Sequence, residues 1–235
     1  MTTAVVLQAR MGSTRLPGKV LAEIGGRTVL AHCIERLRAT SGLPVIVATT
    51  TRPEDHPVAR EAARLHALVV RGSETDVLGR FVQAAREFAL TEVVRATADN
   101  PAVDLDAPGR ALELLRRAHA DCVVERGLPH GACVEAVTAA ALETADALTI
   151  DAYDREHVTP FIRRDRRFRS FDALGPGHVR RPSLRLTVDT PDDLDQMRRV
   201  FAMLGSNTLA PLSAIIAAVD RLAAVDRESS GASAR

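Results

Sequence analysis

The sequence predicts an α/β fold in which helices pack on a mostly parallel sheet. Two observations carry this. Short β-branched runs recur through the N-terminal half at residues 4–7, 45–49, 68–70 and 93–97, and amphipathic helical patterns fill the gaps at 29–38, 58–66 and 77–88. In the last pattern Val77, Leu78, Phe81, Ala84, Ala85 and Phe88 recur at i, i+3, i+4 spacing, the period of one helix face. Strands alternating with helices imply βαβ units and a parallel sheet. Such sheets take ligands at the carboxyl ends of their strands, so the loops after Leu7, Thr49, Val70 and Thr97 are the places to look for chemistry.

The second half continues the rhythm less regularly. A helix is expected at 107–118, a strand at 121–124, a Gly/Pro turn at 127–131 and a short strand at 133–137. Helices follow at 139–148 and 154–162. The Arg-, Gly- and Pro-rich stretch 163–182 reads as an arm or loop. A strand at 184–188 precedes a helix at 191–204 with Pro191 in its first turn, and an amphipathic helix at 211–225 closes the domain. One domain is expected over 1–227, followed by a disordered tail over 228–235.

With 235 residues, 46% of them hydrophobic, the chain has enough apolar material to fold without disulfide or metal staples. Cys33, Cys122 and Cys133 lie far apart in no zinc-ligand pattern, and are read as reduced, inert thiols. A net charge of +1 and 3% aromatic content argue against a nucleic-acid or anionic-membrane partner. No apolar run reaches the about 18 residues of a membrane span. The opening residues lack the features of a signal peptide, so a soluble cytoplasmic protein is expected.

Among 31 basic residues, Lys19 is the sole lysine. Where ordinary surface cations are written as Arg, a lone Lys points to a need for a compact ammonium. It closes the loop Gln8-Ala-Arg-Met-Gly-Ser-Thr-Arg-Leu-Pro-Gly-Lys19, which follows the first strand directly. Two glycines, the hydroxyls of Ser13 and Thr14, Arg10, Arg15 and Lys19 together have the chemistry of a triphosphate cradle. It is not a Walker A loop: five residues, not four, separate Gly12 from Gly18-Lys19, and Val20 stands where a Mg²⁺-binding hydroxyl belongs. Two carboxylates end expected strands, Asp99 and Asp189. They suit Mg²⁺, which takes one or two carboxylates with phosphate oxygens and water. Turn formation by Asp99 and helix capping by Asp189 are the structural alternatives.

The loop resembles that of the spore-coat-polysaccharide-type cytidylyltransferases, relatives of the CMP-Kdo and CMP-sialic acid synthetases. The likeness continues through Arg71-Gly-Ser-Glu-Thr-Asp-Val-Leu78, Arg95-Ala-Thr-Ala-Asp-Asn-Pro101, Arg155-Glu-His-Val-Thr-Pro160 and Leu186-Thr-Val-Asp-Thr-Pro-Asp-Asp-Leu194. It implies a three-layer α/β/α Rossmann-like nucleotidyltransferase with a protruding acceptor-side and dimerisation region at about 125–182, CTP as substrate, Mg²⁺ as cofactor, and a homodimer. Arg10, Lys19, Asp99 and Asp189 become the expected catalytic set, the two aspartates being the metal ligands. Nucleotide contacts are expected from Gln8, Ala9, Arg10, Gly12, Ser13, Arg15, Lys19, Arg71, Asp76, Arg80 and Thr97. On the acceptor side Pro129-His-Gly-Ala-Cys-Val-Glu135 keeps Gly131 and Glu135 but has His130 and Cys133 where the family has acids. His130, Glu135, Glu156 and His157 are the expected acceptor residues. The implied reaction transfers CMP from CTP to a small acidic or amino sugar, or another anionic molecule, releasing pyrophosphate. Use of another nucleoside triphosphate, or a silent nucleotide-binding subunit, are the competing readings.

Overall fold

A computed structural model describes residues 2–232. The chain runs β1 (Thr3–Gln8), a hairpin of β2 (Glu23–Ile24) and β3 (Arg27–Thr28), α1 (Val29–Ala39), β4 (Val45–Thr50), α2 (His56–Arg64), β5 (Leu68–Gly72), α3 (Val77–Glu87) and β6 (Glu92–Thr97). It continues with α4 (Ala107–Arg117), β7 (Cys122–Arg126), β8 (Glu135–Thr138), α5 (Ala139–Leu148), α6 (Ala152–His157) and α7 (Pro160–Arg164). β9 (Ser170–Leu174), α8 (Pro191–Met203) and α9 (Leu212–Ala232) complete it.

Seven strands form one sheet in the order β5-β4-β1-β6-β8-β7-β9. Only β8 runs against the rest, antiparallel to both β6 and β7. Strand residues alternate between two cores, the mark of a sheet covered on both faces. Val5 and Leu7 of β1 join α1, α2, α4, α8 and α9 on one side; Ala4 and Val6 join α3 and α5 on the other. The three-layer α/β/α expectation therefore holds. The chain leaves β1 towards β4 and β5, then crosses by α3 to β6 on the opposite flank of β1. That reversal opens a crevice at the carboxyl ends of β1 and β6.

Local chemistry sets the helix starts. Thr28, Asp76, Thr138 and Asp151 each accept a backbone N–H of the first turn of α1, α3, α5 and α6, satisfying donors that have no partner within the helix. Thr190 and Asp193 form a reciprocal capping box on α8.

Four expectations need correction. The helix at 154–162 is two helices, α6 and α7. Pro160 has no N–H to continue the ladder, and Val158 turns at φ 74°, ψ −59° as the Thr159 N–H donates to the His157 carbonyl at 2.9 Å. This is the strained form of the γ-turn. The stretch 163–182 contains β9, paired parallel to β7 from Cys122↔Ser170 to Arg126↔Leu174. Because β9 is an edge strand with Phe171 and Leu174 exposed, its sequence lacks the buried-strand pattern. Residues 184–188 are extended but lie outside the sheet, since β8 already occupies the flank of β6. Their amides bond loops instead, Leu186 N–H to the His130 carbonyl at 2.8 Å and Val188 N–H to that of Asp99 at 2.7 Å. Finally, α9 runs through Ala232, across most of the segment expected to be disordered; residues 233–235 lie outside the described ones.

Candidate active site

At the reversal between β1 and β6 lies a cleft of about 550 Å³, within the range of small-molecule sites. One wall is the loop that follows β1. Its internal hydrogen bonds run from the N–H groups of Ser13 and Gly18 to the Met11 carbonyl, and from Lys19 N–H to that of Leu16. Gly18, at φ 73°, makes the left-handed turn that starts a short 3₁₀ segment at Lys19–Leu21. A side chain would be strained there. Asp55, buried after β4, accepts the Met11 N–H at 2.6 Å and the Thr50 hydroxyl, so the loop's middle is tied to the sheet.

The opposite wall holds two carboxylates. Asp99 follows β6, and its carbonyl accepts from Val188 N–H and the Thr187 hydroxyl. This draws the 184–188 segment alongside and brings Asp189 to the same rim. The Lys19 ammonium lies between them, 2.8 Å from Asp99 Oδ2 and 2.8 Å from Asp189 Oδ1. Asp189 also meets Arg15 at 3.0 Å and Arg185 at 2.5 Å. Burial pushes the Asp189 carboxyl up, but the hydrogen bond and charge of Lys19, with Arg185 and Arg15, outweigh it and hold it below the usual range. Thr190, not Asp189, caps α8, so the structural alternative for Asp189 falls away.

Among the described residues no group of three or more His, Cys, Asp or Glu side chains is arranged to hold a metal. Two carboxylates already sharing one cation do fit Mg²⁺, which completes its shell with phosphate oxygens and water.

The other end of the cleft, where the acceptor residues were expected, is built on β6 and β8. Arg95 stands opposite Glu135 across these strands. It donates to Glu135 Oε2 at 3.0 Å and to Gln8 Oε1 at 3.2 Å, while Thr159 donates to the same glutamate oxygen at 2.7 Å. Arg10 reaches Glu156 at 3.2 Å, linking the loop to α6, and the His157 ring packs on Tyr153 with centroids 4.4 Å apart. His130 is exposed at the rim. Gly131, at φ 92°, passes so close that a Cβ would lie 2.8 Å from Asn100 Oδ1 and 2.9 Å from Thr187 N.

The structure thus gathers Gln8, Ala9, Arg10, Gly12, Ser13, Arg15, Lys19, Arg80, Thr97, Asp99, His130, Glu135, Glu156, His157 and Asp189 around one cleft. Arg71 and Asp76 do not line it. Arg71 donates to the carbonyls of Thr50 and Arg52. Asp76 caps α3 and pairs with Arg155 through both oxygens, at 2.9 and 2.7 Å. Buried Arg80 donates to the Ser73 and Glu74 carbonyls; burial and the nearby Arg10 charge bring its pKa down to about 10, so it stays charged at neutral pH.

The chain matches the cytidylyltransferase family over residues 4–214. It belongs to the cytidylyltransferase family. It is 32% identical to the spore coat polysaccharide biosynthesis protein SpsF of Bacillus subtilis, over 95% of this chain and 97% of that one. A cytidylyltransferase from Leptospira borgpetersenii superposes with a TM-score of 0.88 at 27% identity, covering 96% of each chain. A CMP:2-keto-3-deoxy-manno-octonic acid synthetase solved with CTP shares the fold, with a TM-score of 0.68 at 17% identity over 87% of this chain and all of that one. Family membership makes the protein a CTP-dependent nucleotidyltransferase.

In this cytidylyltransferase Asp55, Arg95, Asn100 and Thr187 are site-building residues that sequence reasoning had not assigned. Arg95, Asn100 and Thr187 stand in family-like motifs, and that position was the available signal. Asp55 acts on the loop through one backbone contact, which leaves no trace in the pattern.

Proposed function

We propose that this cytidylyltransferase transfers CMP from CTP to a small anionic acceptor, an acidic or amino sugar or a related molecule, and releases pyrophosphate. An acceptor oxygen attacks the α-phosphorus as its bond to the pyrophosphate oxygen breaks. Such transfer depends on positioning and charge neutralisation rather than covalent catalysis. The observation that carries the reading is one cleft wall made by the Gln8–Lys19 loop, with Arg10 and Lys19, facing a wall with two convergent carboxylates.

Arg10, Gly12, Ser13 and Lys19 would bind the triphosphate, Arg10 and Lys19 neutralising the departing pyrophosphate. Asp99 and Asp189 would hold Mg²⁺, which when bound supplies charge neutralisation and orientation at the phosphates. His130, His157, Glu135 and Glu156 would position the acceptor, with Arg95 holding Glu135 in place. Exposed Ile150, Tyr153, Phe171 and Leu174 support pairing of the 125–182 region with a second copy. No helix among the described residues is long and apolar enough to cross a membrane.

A thermal-shift series with Mg²⁺ and each nucleoside triphosphate tests the nucleotide, followed by pyrophosphate release with acceptors carrying a carboxylate, phosphate or phosphonate. A CTP-selective shift that disappears in Asp99→Asn is expected. Equal shifts with GTP or dTTP would remove the cytidine assignment, and no pyrophosphate release with any anionic acceptor would remove the acceptor class.

A further inference from the structure

The Lys19 ammonium and a divalent cation compete for the same oxygens. Nζ is 2.8 Å from one oxygen of each carboxylate, and its side chain is only 11% exposed. It is a seated counter-ion, not a solvated one. The outer oxygen of Asp189 is taken by Arg185, and Arg15 approaches the inner one. Three cations therefore already surround this aspartate. A free metal ion arriving alone would have to evict an ammonium from two carboxylates while facing two guanidinium groups. A triphosphate alters the balance, because its roughly four negative charges give the ammonium another partner. A flexible four-carbon stem lets that ammonium move between partners, which a rigid guanidinium fork would do poorly.

We propose that Lys19 is the resident cation of the Asp99–Asp189 pair in the free enzyme, and that Mg²⁺ enters only with the triphosphate, which draws the ammonium away. This rests on the reading of Asp99 and Asp189 as metal ligands. The exchange prevents the two carboxylates from repelling each other in the free state and keeps metal out of a site with nothing to activate.

Mn²⁺ alone, followed by its EPR signal, serves as the probe. Wild-type protein without nucleotide should leave Mn²⁺ free at low millimolar concentration, whereas Lys19→Met should bind it at least about 10-fold more tightly, as removal of a competing charge demands. The added site should vanish in Lys19→Met/Asp99→Asn. A non-hydrolysable CTP analogue should give the wild-type protein an enzyme-bound Mn²⁺ signal that Asp99→Asn lacks. Tight Mn²⁺ binding by the nucleotide-free wild type overturns the proposal without need of any variant, as do equal affinities in wild type and Lys19→Met. If the analogue-dependent signal survives Asp99→Asn, the metal assignment itself fails and the exchange with it.

Discussion

Asp55 accepts the Met11 backbone N–H at 2.6 Å, joining the turn after β4 to the middle of the Gln8–Lys19 loop. Its other oxygen takes the Thr50 hydroxyl, so the carboxylate has no freedom to follow the loop. Asp55→Ala would strand both donors, costing about 1–3 kcal/mol of local order. The KM for CTP should rise severalfold while the global melting temperature moves little. Steady-state kinetics beside calorimetry check this; an unchanged KM would show that the loop keeps its shape without the tether.

Lys19→Ala should lower turnover at least 100-fold, on the order of 3 kcal/mol of transition-state stabilisation. Lys19→Arg should also remain poor, because a planar guanidinium fork moves from the Asp99–Asp189 pair to the triphosphate less readily than a flexible ammonium does. Single-turnover pyrophosphate release separates loss of chemistry from loss of binding. Near-normal turnover in Lys19→Ala would sink the catalytic role.

Gly131→Ala places a methyl group 2.8 Å from Asn100 Oδ1 and 2.9 Å from Thr187 N, at φ 92°. The strain should cost about 1–3 kcal/mol. Because the displaced neighbours adjoin Asp99 and belong to the 184–188 segment, activity should fall further than stability does. Urea unfolding and activity measured on the same preparation test the two effects.

His32 gives a pH dependence with a definite sign. Its ring is buried against Phe201, with Nε2 at 2.9 Å from the Ile24 carbonyl, and desolvation lowers its pKa below 6.5. Below pH 6.5 the unfolded chain takes up a proton that the folded ring refuses. This contribution is therefore complete above pH 6.5 and is lost as pH falls towards the folded pKa, with a slope of up to about 1.4 kcal/mol per pH unit. Chemical denaturation at pH 7.5 and pH 5.5 should show a shallower loss in His32→Leu than in wild type. Equal slopes would mean that the ring protonates without unfolding.

Periodicity was enough for the sheet's first half. β1, β4, β5 and β6 are buried runs between helices whose apolar residues repeat at one face, and a local pattern suffices where every element buries a whole side. The lone lysine and Asp99 were legible for the same reason, since a loop's place in the chain already puts it at the sheet's carboxyl edge, whereas Asp189 was legible only from its family-like motif. β9 was not legible, because an edge strand with exposed side chains carries no burial pattern. The 184–188 segment misled for the opposite cause: it is extended and apolar, yet its amides bond His130 and Asp99 rather than a strand.

By itself, then, the sequence determined the α/β layering and the loop of Gln8 to Lys19. It also placed Asp99 and Asp189 as candidates for one chemistry, because each depends on residues near one another in the chain. Only the tertiary structure decided that Lys19 lies between those aspartates, that Arg95 holds Glu135, and that Asp76 belongs to Arg155 rather than to the cleft. Those pairings join residues 40 to 170 positions apart. No local pattern records which charges will meet once the sheet has closed.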